Sequence, residues 1–172
     1  MRRVLSGGEV VEETLGIDVG GVIIDRVSDE TDTSFFGDNH LRTPAVGDAF
    51  GTIRRLGEGR FGDRVYLVSK CGPAVQAKTL DWFAHHDFYR LTGIGPERVR
   101  FCRRRFEKAS LCADLQITHF VDDRLEVLGY LVSVPNRFLF RPLQREVERF
   151  AEFLPHVHRV ESWRDLEGKL LP

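Results

Sequence analysis

Apolar residues in this chain gather in short runs that alternate with longer amphipathic stretches. Five runs have the length and β-branched content of buried strands: "TLGIDVG" (14–20), "RVYLVSK" (64–70), "RVRFC" (98–102), "ITHFVDD" (117–123) and the less apolar "RFLF" (137–140). The segments between them carry helical spacing. "AVGDAFGTIRRLGEG" (45–59) ends on Gly57 and Gly59, which suit a C-terminal stop. "GPAVQAKTLDWFAHH" (72–86) offers Pro73 for a first turn and Val75, Thr79, Trp82 and Phe83 for one buried face. "RRFEKASLCADL" (104–115) and "REVERFAEFL" (145–154) read as further helices. Strands alternating with helices of this length predict right-handed βαβ crossovers. The expected fold is therefore α/β, with a mostly parallel central sheet flanked by helices.

Residues 26–44, "RVSDETDTSFFGDNHLRTP", break this alternation. They are polar, contain Gly and Pro, and keep no period. A loop this long in a compact domain is usually functional or disordered. It leaves just after the first strand, which makes it a candidate flap over a site at the carboxyl ends of the strands. A plain surface excursion is the other reading.

Composition narrows the setting. The 172 residues suit a single domain, 1–172. A formal net charge of -1 supplies no global field towards nucleic acid or a membrane, so a nucleic-acid partner has no support from charge. No run approaches the roughly 18 apolar residues of a membrane span. The opening "MRRVLSGGEVVEETLG" has no apolar stretch behind its basic start, so it does not read as a secretory signal. Cys71, Cys102 and Cys112 lack CxxC spacing and are expected as free thiols in a reducing cytoplasm.

The chemistry-bearing residues fall where the strands end. The first strand delivers Asp18, the second Ser69 and Lys70, and the fourth Asp122 and Asp123, while Arg103, Arg104 and Arg105 follow the third. In a parallel sheet all of these reach one edge. Carboxylates, a hydroxyl and cations gathered there suit a divalent metal such as Mg²⁺ and a phosphate, because hard cations take carboxylate, carbonyl and substrate oxygens. Guanidinium forks in the arginine run suit a second phosphate. A solvated charged face is the plainer reading of that run.

These residues and their order resemble the haloacid dehalogenase (HAD) superfamily of phosphatases and hydrolases. "GIDVGGVI" looks like its Asp-x-Asp-x-[Thr/Val] motif, "VYLVS" like the strand ending in Ser or Thr, and "HFVDDRLEVL" like the acidic fourth motif, with Lys108 in "FEKASLCADL" as the lysine. The resemblance covers about residues 15–131. It implies a HAD-like Rossmannoid fold and a phosphohydrolase acting through an aspartyl-phosphate. Asp18 would be the nucleophile and Lys108 its charge partner, while Ser69, Lys70 and Arg103 would bind substrate phosphate. Mg²⁺ would sit on Asp18, the Gly20 carbonyl, Asp122 and Asp123. The spacing leaves room for a minimal cap domain or none. Within the family that implies an open site, covered by residues 26–44 or by a second copy in a homo-oligomer. The expected partner is a small phosphorylated metabolite or a nucleotide.

One departure matters. Gly20 stands where the family pattern has a second aspartate, the general acid and base. Such a group contributes about 10²–10⁴-fold to rate. Three readings stay open: a phosphatase with a good leaving group or another proton source such as Asp25 or His40, a non-phosphatase reaction, and a catalytically weakened binding or regulatory domain. Plainer readings attach to other residues. His85, His86 and Asp87 read as a solvated helix end, and Cys71 has no general-base partner in sequence.

Overall fold

A computed structural model describes residues 3–4, 10–26 and 39–172, with residues 3–4 and 10–11 as backbone. The candidate flap, 26–44, falls mostly outside the described residues. Two short strands, β1 (Arg3–Val4) and β2 (Val10–Val11), pair antiparallel. The main sheet is built from β3 (Leu15–Ile17), β4 (Val65–Lys70), β5 (Val99–Cys102), β6 (His119–Asp122), β7 (Asn136–Phe140) and β8 (His158–Val160). Its six strands lie in the order β5-β4-β3-β6-β7-β8, and every neighbouring pair is parallel. This is an α/β, Rossmann-like fold.

The helices are α1 (Ala49–Leu56), α2 (Pro73–His85), α3 (Phe88–Thr92), α4 (Glu107–Asp114), α5 (Leu125–Tyr130), α6 (Gln144–Arg149) and α7 (Trp163–Leu170). Alternate strand residues face opposite cores, as a sheet buried on both sides requires. Ile17, Leu67, Val121 and Phe140 join Ile53, Trp82, Phe88 and Trp163 of α1, α2, α3 and α7. Val68, Phe120 and Leu139 join Cys112 and Leu128 of α4 and α5, and Val147 of α6 packs on them. No helix among the described residues is long and apolar enough to cross a membrane.

All five expected strands are present, and three helices start or stop at other residues than their sequence pattern predicts. The first helix passes Gly57 without stopping and widens into a π-type turn over Gly57–Phe61. The reversal falls on Gly62, whose φ of 58 is the positive value a side chain resists. The helix expected from residue 104 starts at Glu107, because the Glu107 carboxylate accepts the amides of Arg103 and Arg104 at 2.9 and 3.1 Å. The stretch 145–154 breaks at Phe150 into a 3-10 turn, Ala151–His156, that contains Pro155. Three further helices, α3, α5 and α7, and the edge strand β8 complete the fold.

The topology places a crevice at one end of the sheet. From β3 the chain steps outward to β4 and β5, then crosses back to β6, β7 and β8 on the other side. The reversal opens a crevice between the carboxyl ends of β3 and β6, the usual ligand position in an open α/β sheet.

Candidate active site

Asp18 continues β3 by one residue, its amide donating to the Val121 carbonyl of β6 at 2.9 Å. The chain then coils into a tight turn in which Ile23 and Ile24 donate to the Val19 carbonyl at 2.9 and 3.1 Å. Val22, Ile23 and Ile24 bury their side chains beneath it. Trp163 ties the turn to α7, its indole Nε1 donating to the Val22 carbonyl at 2.8 Å. The two glycines of this turn differ. Gly21 has φ +77, and a Cβ on it would lie 2.6 Å from Asp123 Oδ2, so only glycine fits. Gly20 is exposed, and a Cβ there would meet nothing within 4 Å.

The crevice holds a buried charge cluster. Lys108 of α4, only 2% exposed, donates from Nζ to Asp18 Oδ1 at 2.6 Å and to Asp122 Oδ2 at 2.8 Å. Its Nζ also lies 5.5 Å from the centre of the Phe120 ring. That ring occupies the space above Gly16, where a Cβ would come within 2.4 Å of it. Gly16 thus admits Phe120, and Phe120 supports Lys108. Asp122 is fully buried at the end of β6, and its Oδ1 accepts the Arg124 amide at 2.9 Å. Asp123 faces Arg26, whose Nε lies 3.7 Å from Oδ2.

Burial raises the proton affinity of all three aspartates. It pushes Asp18 up to about 6 against the pull of Lys108, with Asp122 adding to the rise. Burial and then the Asp18 charge push Asp123 up to about 6. Burial also raises Asp122. For Lys108, burial opposes the charge, but Asp122 and Asp18 outweigh it and hold the ammonium protonated. Lys108 thus bonds two of the three carboxylates, and Arg26 faces the third. Oxygens of Asp18, Asp122 and Asp123 all lie within 4.8 Å of one another. An all-oxygen, electron-rich set of this kind fits Mg²⁺ or a similar hard cation.

A cavity of about 430 Å³ opens above the cluster. Ser69 and Lys70, at the end of β4, line it together with Gly72 and Val75 at the start of α2. That 13-residue helix has no side-chain cap, so its first amides stay available to an anion. Cys71 also lines the cavity, but burial pushes its thiol up, which disfavours the thiolate.

The structure brings Asp18, Gly20, Ser69, Lys70, Lys108, Asp122 and Asp123 to one cavity. Arg103 lies outside its lining. Its guanidinium donates instead to the Cys71 carbonyl at 2.6 Å and to Gln76 Oε1 at 3.0 Å, tying the β5–α4 loop to α2. Arg105 of the same run lines the cavity and pairs with Glu126 at 2.5 Å. Arg26 and Arg124 are further lining residues that sequence reasoning did not single out. Of the two proton sources considered for Gly20, Asp25 lines the cavity but faces Arg141 at 3.4 Å. His40 is not in the lining and stands 4.0 Å from Asp81 of α2.

No protein-family model matches the chain, and a search of curated proteins finds no match.

Proposed function

We propose that this protein is a Mg²⁺-dependent phosphohydrolase of the haloacid dehalogenase type, acting through Asp18 on a small phosphorylated metabolite or nucleotide. The observation that carries this reading is Lys108, joined at 2.6 and 2.8 Å to Asp18 and Asp122 beneath a cavity edged by Ser69. A lysine buried between two carboxylates costs desolvation, and a role in handling charge during phosphoryl transfer accounts for that cost.

In this mechanism a carboxylate oxygen of Asp18 attacks phosphorus, and an aspartyl-phosphate forms as the leaving group departs. The Ser69 hydroxyl and the first amides of α2 bind phosphoryl oxygens. Lys108 holds Asp18 in place and offsets its charge as the anionic substrate approaches. Water then attacks the aspartyl-phosphate and frees the Asp18 carboxylate. Asp18, Asp122, Asp123 and the Gly20 carbonyl would hold Mg²⁺. When bound, the metal screens repulsion between the anionic nucleophile and the phosphoryl group.

Hydrolysis of p-nitrophenyl phosphate tests the reading. We expect turnover that needs Mg²⁺, stops with EDTA and is lost in Asp18→Asn. Turnover retained in Asp18→Asn would contradict it. The open flank at Gly20 supports one other reading, a binding or regulatory domain that keeps the metal but not the chemistry. Mg²⁺ binding without turnover on a broad panel of phosphoesters would mark that case.

A further inference from the structure

Breaking a P–O bond leaves an electron pair on the departing oxygen. An alkoxide needs a proton at that moment, whereas a carboxylate or phosphate departs stably as an anion. Which of these the site serves depends on the proton donors it holds. Among the described residues, the acids lining the cavity are Asp18, Asp25, Asp122 and Asp123. Asp18 forms the bond to phosphorus. Asp122 is fully buried between Lys108 and the Arg124 amide. Asp123 belongs to the carboxylate triad and faces Arg26, and Asp25 faces Arg141. Lys108 is committed to two carboxylates at hydrogen-bond distance.

The flank two residues beyond Asp18 is open. Gly20 is exposed, and a Cβ placed on it meets nothing within 4 Å. The same cavity is lined by Lys70, which makes no ion pair among the described residues, and by the Arg105 guanidinium, which is held in place by Glu126. A guanidinium keeps its proton, so Arg105 stabilises charge developing on a departing group without transferring one, and the Lys70 ammonium adds a second positive charge. The site thus offers charge stabilisation where a poor leaving group would need an acid.

We propose that the substrate is a phosphoryl donor whose leaving group departs as an anion without a proton, namely an acyl phosphate or a phosphoanhydride rather than an alkyl phosphomonoester. The inference rests on the phosphohydrolase reading above. In the first step the Asp18 oxygen–phosphorus bond forms and the bond from phosphorus to the leaving oxygen breaks. The electron pair stays on that oxygen, facing Lys70 and Arg105, and no proton moves. In the second step water attacks phosphorus, the bond to Asp18 breaks, and its electron pair returns to the carboxylate. Both protons of the attacking water stay with the inorganic phosphate, which leaves as dihydrogen phosphate. The aspartyl-phosphate is itself an acyl phosphate, so this step also needs no acid for its leaving group.

The test measures kcat/KM with Mg²⁺ for acetyl phosphate, pyrophosphate, p-nitrophenyl phosphate and glycerol phosphate. It compares the wild type with Gly20→Asp, Lys70→Ala and Asp18→Asn. In the wild type we expect acetyl phosphate or pyrophosphate to exceed glycerol phosphate by at least about a hundredfold, the scale of a missing general acid. Gly20→Asp, which has room for its side chain, narrows that gap at least tenfold, and Lys70→Ala lowers turnover of the favoured donor. A wild type that cleaves glycerol phosphate within tenfold of both favoured donors overturns the inference while leaving an Asp18-dependent phosphohydrolase intact. A gap unchanged by Gly20→Asp does the same. Turnover that survives Asp18→Asn, or no turnover on any donor, overturns both readings together.

Discussion

At the residue scale, Lys108 decides the character of the site. Its ammonium is buried and shared between two carboxylates, with a third beside them. Replacing it with methionine keeps much of the volume but leaves buried carboxylates uncompensated. We expect Lys108→Met to cost about 3–5 kcal/mol in urea denaturation without metal, and to lose less when Mg²⁺ is present. An equal loss with and without Mg²⁺ would argue against a metal at this cluster.

The raised aspartates give a second expectation, and its sign is fixed. Folded Asp18 and Asp123 titrate near 6, against an ordinary value of 3.8. Between about 4 and 6 the folded protein therefore holds more protons than the unfolded chain, and stability falls as pH rises through that window. The favourable contribution is full below the unfolded value and is gone above 6. The metal-free wild type, referenced to an Asp18→Asn/Asp123→Asn variant, should be more stable at pH 5 than at pH 7.5. Mg²⁺ affinity should run the other way and weaken as pH falls below 6, since each displaced proton competes with the metal. Isothermal titration at the two pH values measures this. Affinity independent of pH would mean that these carboxylates do not bind the ion.

Residue types at strand ends made much of this cluster legible in sequence. Asp18, Ser69, Asp122 and Asp123 were readable as one edge because parallel strands deliver their carboxyl ends to the same side. Lys108, the lysine ahead of the fourth strand, is the one joined to Asp18. The arginine run was not decodable. Three adjacent arginines carry no phase, and the cavity takes Arg105 while Arg103 fastens a loop to α2.

At the scale of elements, two irregular segments, at Thr43 and Val22, are each held by an indole from a distant helix. Trp82 of α2 donates to the Thr43 carbonyl at 2.8 Å, and Trp163 of α7 donates to the Val22 carbonyl at the same distance. The second bond couples the last helix to the turn that follows Asp18. We expect Trp163→Phe, which keeps a ring but loses the donor, to cost about 1–3 kcal/mol of stability. It should also lower the Mg²⁺-dependent rate, because the turn carries Gly20 and precedes Asp25. Unchanged activity with lost stability would limit Trp163 to a packing role. Neither α7 nor β8 was legible in the sequence. The strand has three residues, of which His158 and Arg159 are exposed and only Val160 is buried. An edge strand this short shows neither a sustained apolar run nor alternation. The α7 pattern, Trp163, Leu166 and Leu170, is regular but sits beside that unrecognised strand.

For the whole molecule, the strand order places the acidic cluster in the crevice where the sheet reverses direction. The α/β class and parallel sheet followed from alternating periods, which depend on local sequence. The order of the strands depends on long-range packing and came only with the structure. That order brings Asp18 beside Asp122 and puts both within reach of a lysine from α4. In the proposed reaction Asp18 becomes phosphorylated in this crevice when Mg²⁺ is present. Beryllium fluoride with Mg²⁺ mimics that phosphorylated state. Fluorine NMR should show a bound, slowly exchanging beryllium fluoride species in the wild type that needs Mg²⁺ and disappears in Asp18→Asn. No bound species in the wild type, or one that persists in Asp18→Asn, would contradict phosphorylation at Asp18.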